Sequence, residues 1–182
     1  MGTKELKRLV MAMAERIAEQ SNSLSTIAER NRPNPDPRPL LIGEASNTER
    51  SEPFRGLSGR FFADMININL DRLHELFECV NIVPWWPGQL PGEKGDQFRS
   101  VVARLRAKSL NVINRRLILV GERVAAAFNI KDTPWMEPVS LGRGESSTIV
   151  VPCPLAIVRS WNDPTIKDRA SAILSRLARS LG

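Results

Sequence analysis

A chain of 182 residues has room for one globular domain and an added arm, and for little more. Its 26 lysines and arginines against 20 aspartates and glutamates leave a net charge of +6, which suits a polyanionic partner and equally serves solubility. Hydrophobic (42%) and charged (25%) shares are ordinary for a globular domain, and the apolar runs fall short of the roughly 20 residues that span a bilayer, which excludes disorder and a membrane-spanning chain.

The chain opens on Lys4, Lys7 and Arg8, followed by polar and acidic residues in place of the apolar core of a secretory signal, so a cytoplasmic location is expected. From Lys4 to about Glu29, Leu6, Leu9, Val10, Met13, Ile17, Leu24 and Ile27 recur mostly at three and four, the period of an amphipathic helix. Pro33, Pro35, Pro37 and Pro39 then remove backbone donors and fix an extended joint, so residues 1–38 are read as a helical arm and 39–182 as the domain. The apolar face of the arm packs on its own domain or pairs with a protein partner.

Beyond the joint, four short apolar runs read as buried strands: Leu40 to Gly43, Val80 to Val83, Leu117 to Gly121 and Ile149 to Val151. Helical patterns lie between and after them, at about Leu57 to Phe77, Phe98 to Val112 and Arg123 to Phe128. A last helix runs to Leu181, with Asp163 as N-cap and Pro164 at its first position. The alternation predicts a three-layer α/β/α sandwich on a central, mostly parallel four-stranded sheet, and such folds build sites from the loops at the carboxyl ends of their strands.

The ends of the first, second and fourth strands carry residues suited to a site. Gly43, Glu44, Ala45, Ser46 and Asn47 follow the first strand, and the chain continues into Glu52-Pro53-Phe54-Arg55-Gly56-Leu57-Ser58-Gly59-Arg60. These glycines allow close backbone approach, to a ligand or simply within an ordinary strand-to-helix turn. Asn81 in the second run needs its amide paired, by backbone or by a base edge, and the tandem Trp85 and Trp86 either stack on bases or lie partly buried. The fourth strand leaves through Pro152-Cys153-Pro154-Leu155, with Arg159 and Trp161 downstream. Cys153 reads as a site residue or as a buried structural thiol. With Cys79 it makes the whole cysteine complement, and His74 is the one histidine, too few for a protein-built zinc or iron–sulfur centre. No cofactor is therefore expected, and two free thiols are.

Together these segments resemble the uracil-DNA glycosylase superfamily over about Pro39 to Leu181. Its iron–sulfur branch carries Gly-Glu-Ala-Pro-Gly and then Pro-Phe-Val-Gly-x-Ala-Gly, matched by Gly43-Glu44-Ala45-Ser46-Asn47 and Pro53-Phe54-Arg55-Gly56-Leu57-Ser58-Gly59. An Asn-containing segment follows that branch's second strand, as Val80-Asn81-Ile82-Val83 does here. Its last motif, His-Pro-Ser ahead of an Arg, corresponds to Cys153-Pro154-Leu155 with Arg159, while Leu117 to Gly121 with Glu122-Arg123-Val124-Ala125 resembles its intervening strand and small-residue helix.

The resemblance implies a DNA partner, single- or double-stranded, whose flipped uracil or modified pyrimidine is stacked on Phe54 and read by Asn81, with Glu44 orienting water. Gly43, Ala45 and Ser46 would shape the pocket floor. Arg55, Ser58, Pro154, Arg159 and Trp161 would meet the strand, and Cys153 stands at the catalytic position of the family's His. A thiol is a weak donor, and losing a donor to the developing base anion typically costs about 10²–10³ in rate. The resemblance therefore leaves open a glycosylase with an altered last motif and a DNA- or base-binding protein that has lost the chemistry. A third reading, Cys153 as nucleophile, needs nearby positive charge such as Arg159. The pattern around His74 puts it on a helix away from the last loop, as a surface or helix-end residue.

Overall fold

A computed structural model describes residues 38–45, 52–83, 93–132, 135–153 and 164–179. Residues 1–37, on which all but the last residue of the expected 1–38 helix and joint falls, and the segments carrying Ser46, Asn47, Trp85, Trp86, Pro154, Leu155, Arg159, Trp161 and Asp163 lie outside the described residues.

The described chain is an α/β fold built on a mixed five-stranded sheet, in the order β2-β1-β3-β5-β4. Its strands are β1 (Leu40–Gly43), β2 (Glu78–Asn81), β3 (Arg116–Val120), β4 (Pro138–Val139) and β5 (Ser147–Val151). The helices among the described residues are α1 (Leu57–Met65), α2 (Leu70–Leu76), α3 (Glu93–Ser109), α4 (Glu122–Ala127) and α5 (Pro164–Arg179). None of them is long and apolar enough to cross a membrane.

The strands expected from the four apolar runs pair in parallel, β1 with both β2 and β3, and β3 with β5. Side chains alternate across this sheet, so its two faces feed two separate cores. Leu40, Ile42, Leu117, Leu119 and Val150 pack with Ala103 and Ala107 of α3 and Val124 and Ala125 of α4. Leu41, Ile118, Val120 and Val151 pack with Phe62 of α1, Leu73 and Leu76 of α2, and Ala170 and Leu174 of α5.

Three expectations are corrected in detail. The sheet has a fifth strand, β4, antiparallel to β5, which two residues beginning with a proline could not announce. The second strand begins at Glu78, two residues before the apolar run, although ladder-type bonds continue beyond its assigned end, from the amides of Ile82 and Val83 to the carbonyls of Gly43 (3.0 Å) and Glu44 (2.7 Å). The helix expected over Leu57 to Phe77 is two helices. Asn67 takes a left-handed conformation (φ 58°), its amide reaches the Asp64 carbonyl at 3.2 Å, and the Ile68 amide reaches that of Ala63 at 3.0 Å, which closes α1 in a Schellman motif. Asn69 then caps α2, its side-chain oxygen accepting from the Arg72 amide at 2.7 Å. In addition, α3 starts at Glu93, ahead of the expected Phe98, and ends at Ser109.

The amino ends of three strands are tied by one buried cation. Arg115 is 3% exposed; its Nη1 donates to Glu78 Oε2 at 2.6 Å and its Nε and Nη2 donate to the Arg38 carbonyl at 3.2 and 2.5 Å. That clamp leaves the opposite, carboxyl edge as the place where loops converge.

Candidate functional site

Gly43 ends β1 and is paired in register with Asn81, the last residue of β2. A β-carbon added at Gly43 would lie 3.0 Å from Asn81 Oδ1 and 3.0 Å from Cζ of Phe54, so the amide and the ring meet over this glycine with no room for a side chain. Three residues separated by up to 38 positions in sequence are thus brought to one point by two parallel strands and a turn.

The turn that delivers Phe54 has its own logic. Phe54 adopts φ 58°, which a non-glycine residue holds only when its surroundings over-determine it. Here the ring is 8% exposed and packs against Phe62 with centroids 5.9 Å apart, while the carbonyl sits on the helix at Gly59. An added β-carbon at Gly59 would fall 1.6 Å from that carbonyl oxygen, so the close approach of turn to helix requires glycine. Next to it, Arg55 faces solvent and is bonded to Glu52 at 3.1 Å and to Asp71 at 2.6 Å. Hydrogen bonds to those carboxylates, Asp71 foremost, raise its pKa. Ser58 lies partly exposed in the first turn of α1.

His74 stands in the last turn of α2, the helix-end placement expected, but it faces the Phe54 turn, with Nε2 3.5 Å from the Phe54 carbonyl oxygen. Burial, followed by the charge of Arg55, holds its pKa below the ordinary value.

The expected catalytic pair is divided between different surroundings. The Glu44 carboxylate turns toward α4, where Arg123 Nη1 donates to Oε1 at 3.1 Å, and Arg123 also reaches Asp96 of α3 at 3.4 Å. Ala45, the next residue, packs at the edge of the core beneath α3 and α4. Cys153 follows β5 and packs beside the other core, its β-carbon 3.1 Å from where a side chain at Gly121 would begin. Gly121 has φ 97° and its amide donates to the Val151 carbonyl at 2.8 Å, so the β3 and β5 ends are fastened together as the β1 and β2 ends are. Cys79 and Cys153 are both free thiols, and burial pushes the Cys79 thiol up to about 12.

The structure thus brings Gly43, Phe54 and Asn81 into contact, sets Glu44 and Ala45 on the α3/α4 side, and places Cys153 against Gly121 across β3. From the sequence, Arg123 is legible only as part of a helix, and Asp96 and Arg99 carry no signal of a role. The available signal was positional, since Arg123 comes two residues after the strand-ending Gly121, at the edge where sites form. No protein-family model matches this chain, nor does any curated protein or any solved structure.

Proposed function

We propose that this chain is a divergent DNA glycosylase, which binds a flipped-out uracil or modified pyrimidine and cleaves its N-glycosidic bond. The fold is read with it as a three-layer α/β/α domain whose parallel strands β2-β1-β3-β5 are the core of the sheet. The observation that carries the reading is the meeting of the Asn81 amide and the Phe54 ring over Gly43 at the carboxyl edge. An amide offers a donor and an acceptor to a pyrimidine edge and an aromatic ring offers a stacking surface, and the missing side chain at Gly43 lets these two groups pack close together at the strand end.

In the reaction, water oxygen bonds to the sugar C1′ while the glycosidic C–N bond breaks and its electron pair leaves with the base. Glu44 would orient that water and take its proton, and donors around the base oxygens would stabilise the leaving anion. Cys153 holds the position at which the resemblance places a histidine donor. Ser46, Arg55, Ser58, Pro154, Arg159 and Trp161 are assigned to pocket and strand contacts by the same resemblance. No cofactor is needed for this hydrolysis, and the working location is the cytoplasm.

A second reading, recognition of DNA without cleavage, is favoured by the pairing of Glu44 with Arg123 and by the weak donor at Cys153. One experiment separates the two. Labelled single- and double-stranded DNA containing uracil, hydroxymethyluracil or mismatched bases is incubated with stoichiometric native protein and with Cys153→His, and abasic sites are scored. Product from the native protein establishes the glycosylase; product from Cys153→His alone establishes an intact pocket without chemistry. Absence of both product and DNA binding in either protein removes both readings.

A further inference from the structure

On the far side of Glu44 from the Phe54 turn, α3 and α4 enclose a cleft of about 210 Å³ floored by alanines and lined by Glu44, Asp96, Arg99, Arg104 and Arg123. The two carboxylates are already committed. Glu44 accepts from Arg123 at 3.1 Å, and Asp96 accepts from Arg99 and lies 3.4 Å from Arg123. Arg99 is nine-tenths buried, so its charge is fixed in the wall and cannot swing out to solvent. Arg104, one turn beyond Ser100 on α3, has no partner among the described residues. Among the described side chains, three guanidinium groups against two carboxylates give the cleft lining one positive charge in excess, on a side chain that faces it.

From this we infer that the α3/α4 cleft is a phosphate-binding site, with Arg104 as the free contact and Arg123 and Arg99 as the fixed positive wall. The alanines keep the space open, and guanidinium groups match phosphate oxygens in geometry and charge. Glu44 lines the cleft and directly follows Gly43, so the cleft and the Asn81–Phe54 pair share the carboxyl end of β1 while lying on opposite faces of the sheet. On the proposed function, on which this part of the inference rests, the ligand is a backbone phosphodiester of the strand that carries the recognised base. Its role would be to hold register and orientation, since phosphate contacts position a strand without reading it.

The test is the salt dependence of binding of a fluorescent single-stranded oligonucleotide, with and without uracil, to the native full-length chain, Arg104→Ala, Arg104→Lys and Arg176→Ala. Arg176 is an exposed cation in the last turn of α5 and serves as the control for general charge. One lost phosphate contact lowers the slope of log K against log salt by about 0.7, so between 50 and 200 mM salt Arg104→Ala loses roughly two- to threefold less affinity than the native chain. The change is expected equally on both oligonucleotides, is restored in Arg104→Lys and is absent from Arg176→Ala. A slope unchanged in Arg104→Ala, or lowered as much in Arg176→Ala, overturns the site. Inorganic phosphate titrated by NMR gives an independent arm. Should the native chain bind no DNA, Arg104-dependent phosphate binding keeps the anion site while discarding the glycosylase reading, and no phosphate binding discards both.

Discussion

Gly59→Ala sets two well-known effects against each other at one atom. Within a helix, alanine is favoured over glycine by about 1 kcal/mol, so propensity alone has this substitution stabilise α1. The added β-carbon, however, falls 1.6 Å from the Phe54 carbonyl oxygen, 2.7 Å from its carbonyl carbon and 2.9 Å from Leu70 Cδ1. Leu70 can yield by a rotamer change, but backbone cannot. Relief means pulling the Phe54 turn off the helix by more than an ångström, and Phe54 is held there by a ring buried against Phe62 and Gly43. Exposing such a ring costs about 1.5–3 kcal/mol and overpacking strain adds about 1–3 more, so the clash outweighs the propensity gain of about 1 kcal/mol and a net loss of about 1.5–5 kcal/mol is expected.

At roughly 2–4 °C per kcal/mol for a chain of this size, the melting temperature falls by roughly 3–20 °C in thermal unfolding followed by circular dichroism. Gly142→Ala is the companion, because Gly142 has φ 66° with nothing within 4 Å of the added atom and isolates the backbone cost of about 1–2 kcal/mol. A Gly59→Ala protein as stable as the native chain, or more so, would refute the contact and with it the reason given for the position of Phe54.

Arg115→Ala leaves the Glu78 carboxylate and the Arg38 carbonyl without their donor; because Glu78 is 36% exposed, the expected loss of about 2–4 kcal/mol in urea unfolding lies toward the lower side of what a buried pair gives, and under 0.5 kcal/mol would contradict the clamp. The Cys79 thiol, pushed up to about 12 by burial, holds about 10³-fold less thiolate at pH 8 than a free cysteine, so iodoacetamide should label Cys79 only after unfolding, and rapid labelling in the native chain would contradict its burial. The pKa of His74 is lowered on folding, so below its ordinary 6.5 the unfolded chain takes up the proton that the native state resists. Stability therefore falls as pH drops from above 6.5 through the folded value, and His74→Gln should flatten urea midpoints over that window. An unchanged slope would show that burial beside the Phe54 turn and Arg55 does not govern this proton.

The strands were legible where burial on both faces writes an uninterrupted apolar run, as in Leu40-Leu41-Ile42 and Leu117-Ile118-Leu119-Val120. Glu78 and Cys79 escaped because a charged residue opens β2, and only the structure reveals its partner, Arg115. The missed break in the first helical stretch has the same character. Asn67 and Asn129 close α1 and α4 in left-handed conformations, doing with an amide side chain what a glycine would have advertised. Of the candidate site, Gly43, Phe54 and Asn81 could be named because each lies next to a strand end or a glycine-marked turn. The link from Glu44 to Arg123 could not, since its members lie 79 positions apart and meet only after β1 and β3 have paired.

That link also bears on where the chemistry would be decided. Arg123 is 62% exposed and Glu44 30% exposed, so solvent screens their pair and its net worth lies near 0–1 kcal/mol. Freeing Glu44 to meet a water at the glycosidic bond would therefore cost little. Replacing a donor to the developing base anion costs about 2.7–4 kcal/mol, several times as much. Of the two features that favour binding without cleavage, the ion pair is thus the weaker obstacle and the thiol the stronger. On the proposed function, substitutions at Arg123 should therefore change rates by less than tenfold, whereas the exchange of Cys153 for histidine is the change expected to raise base release.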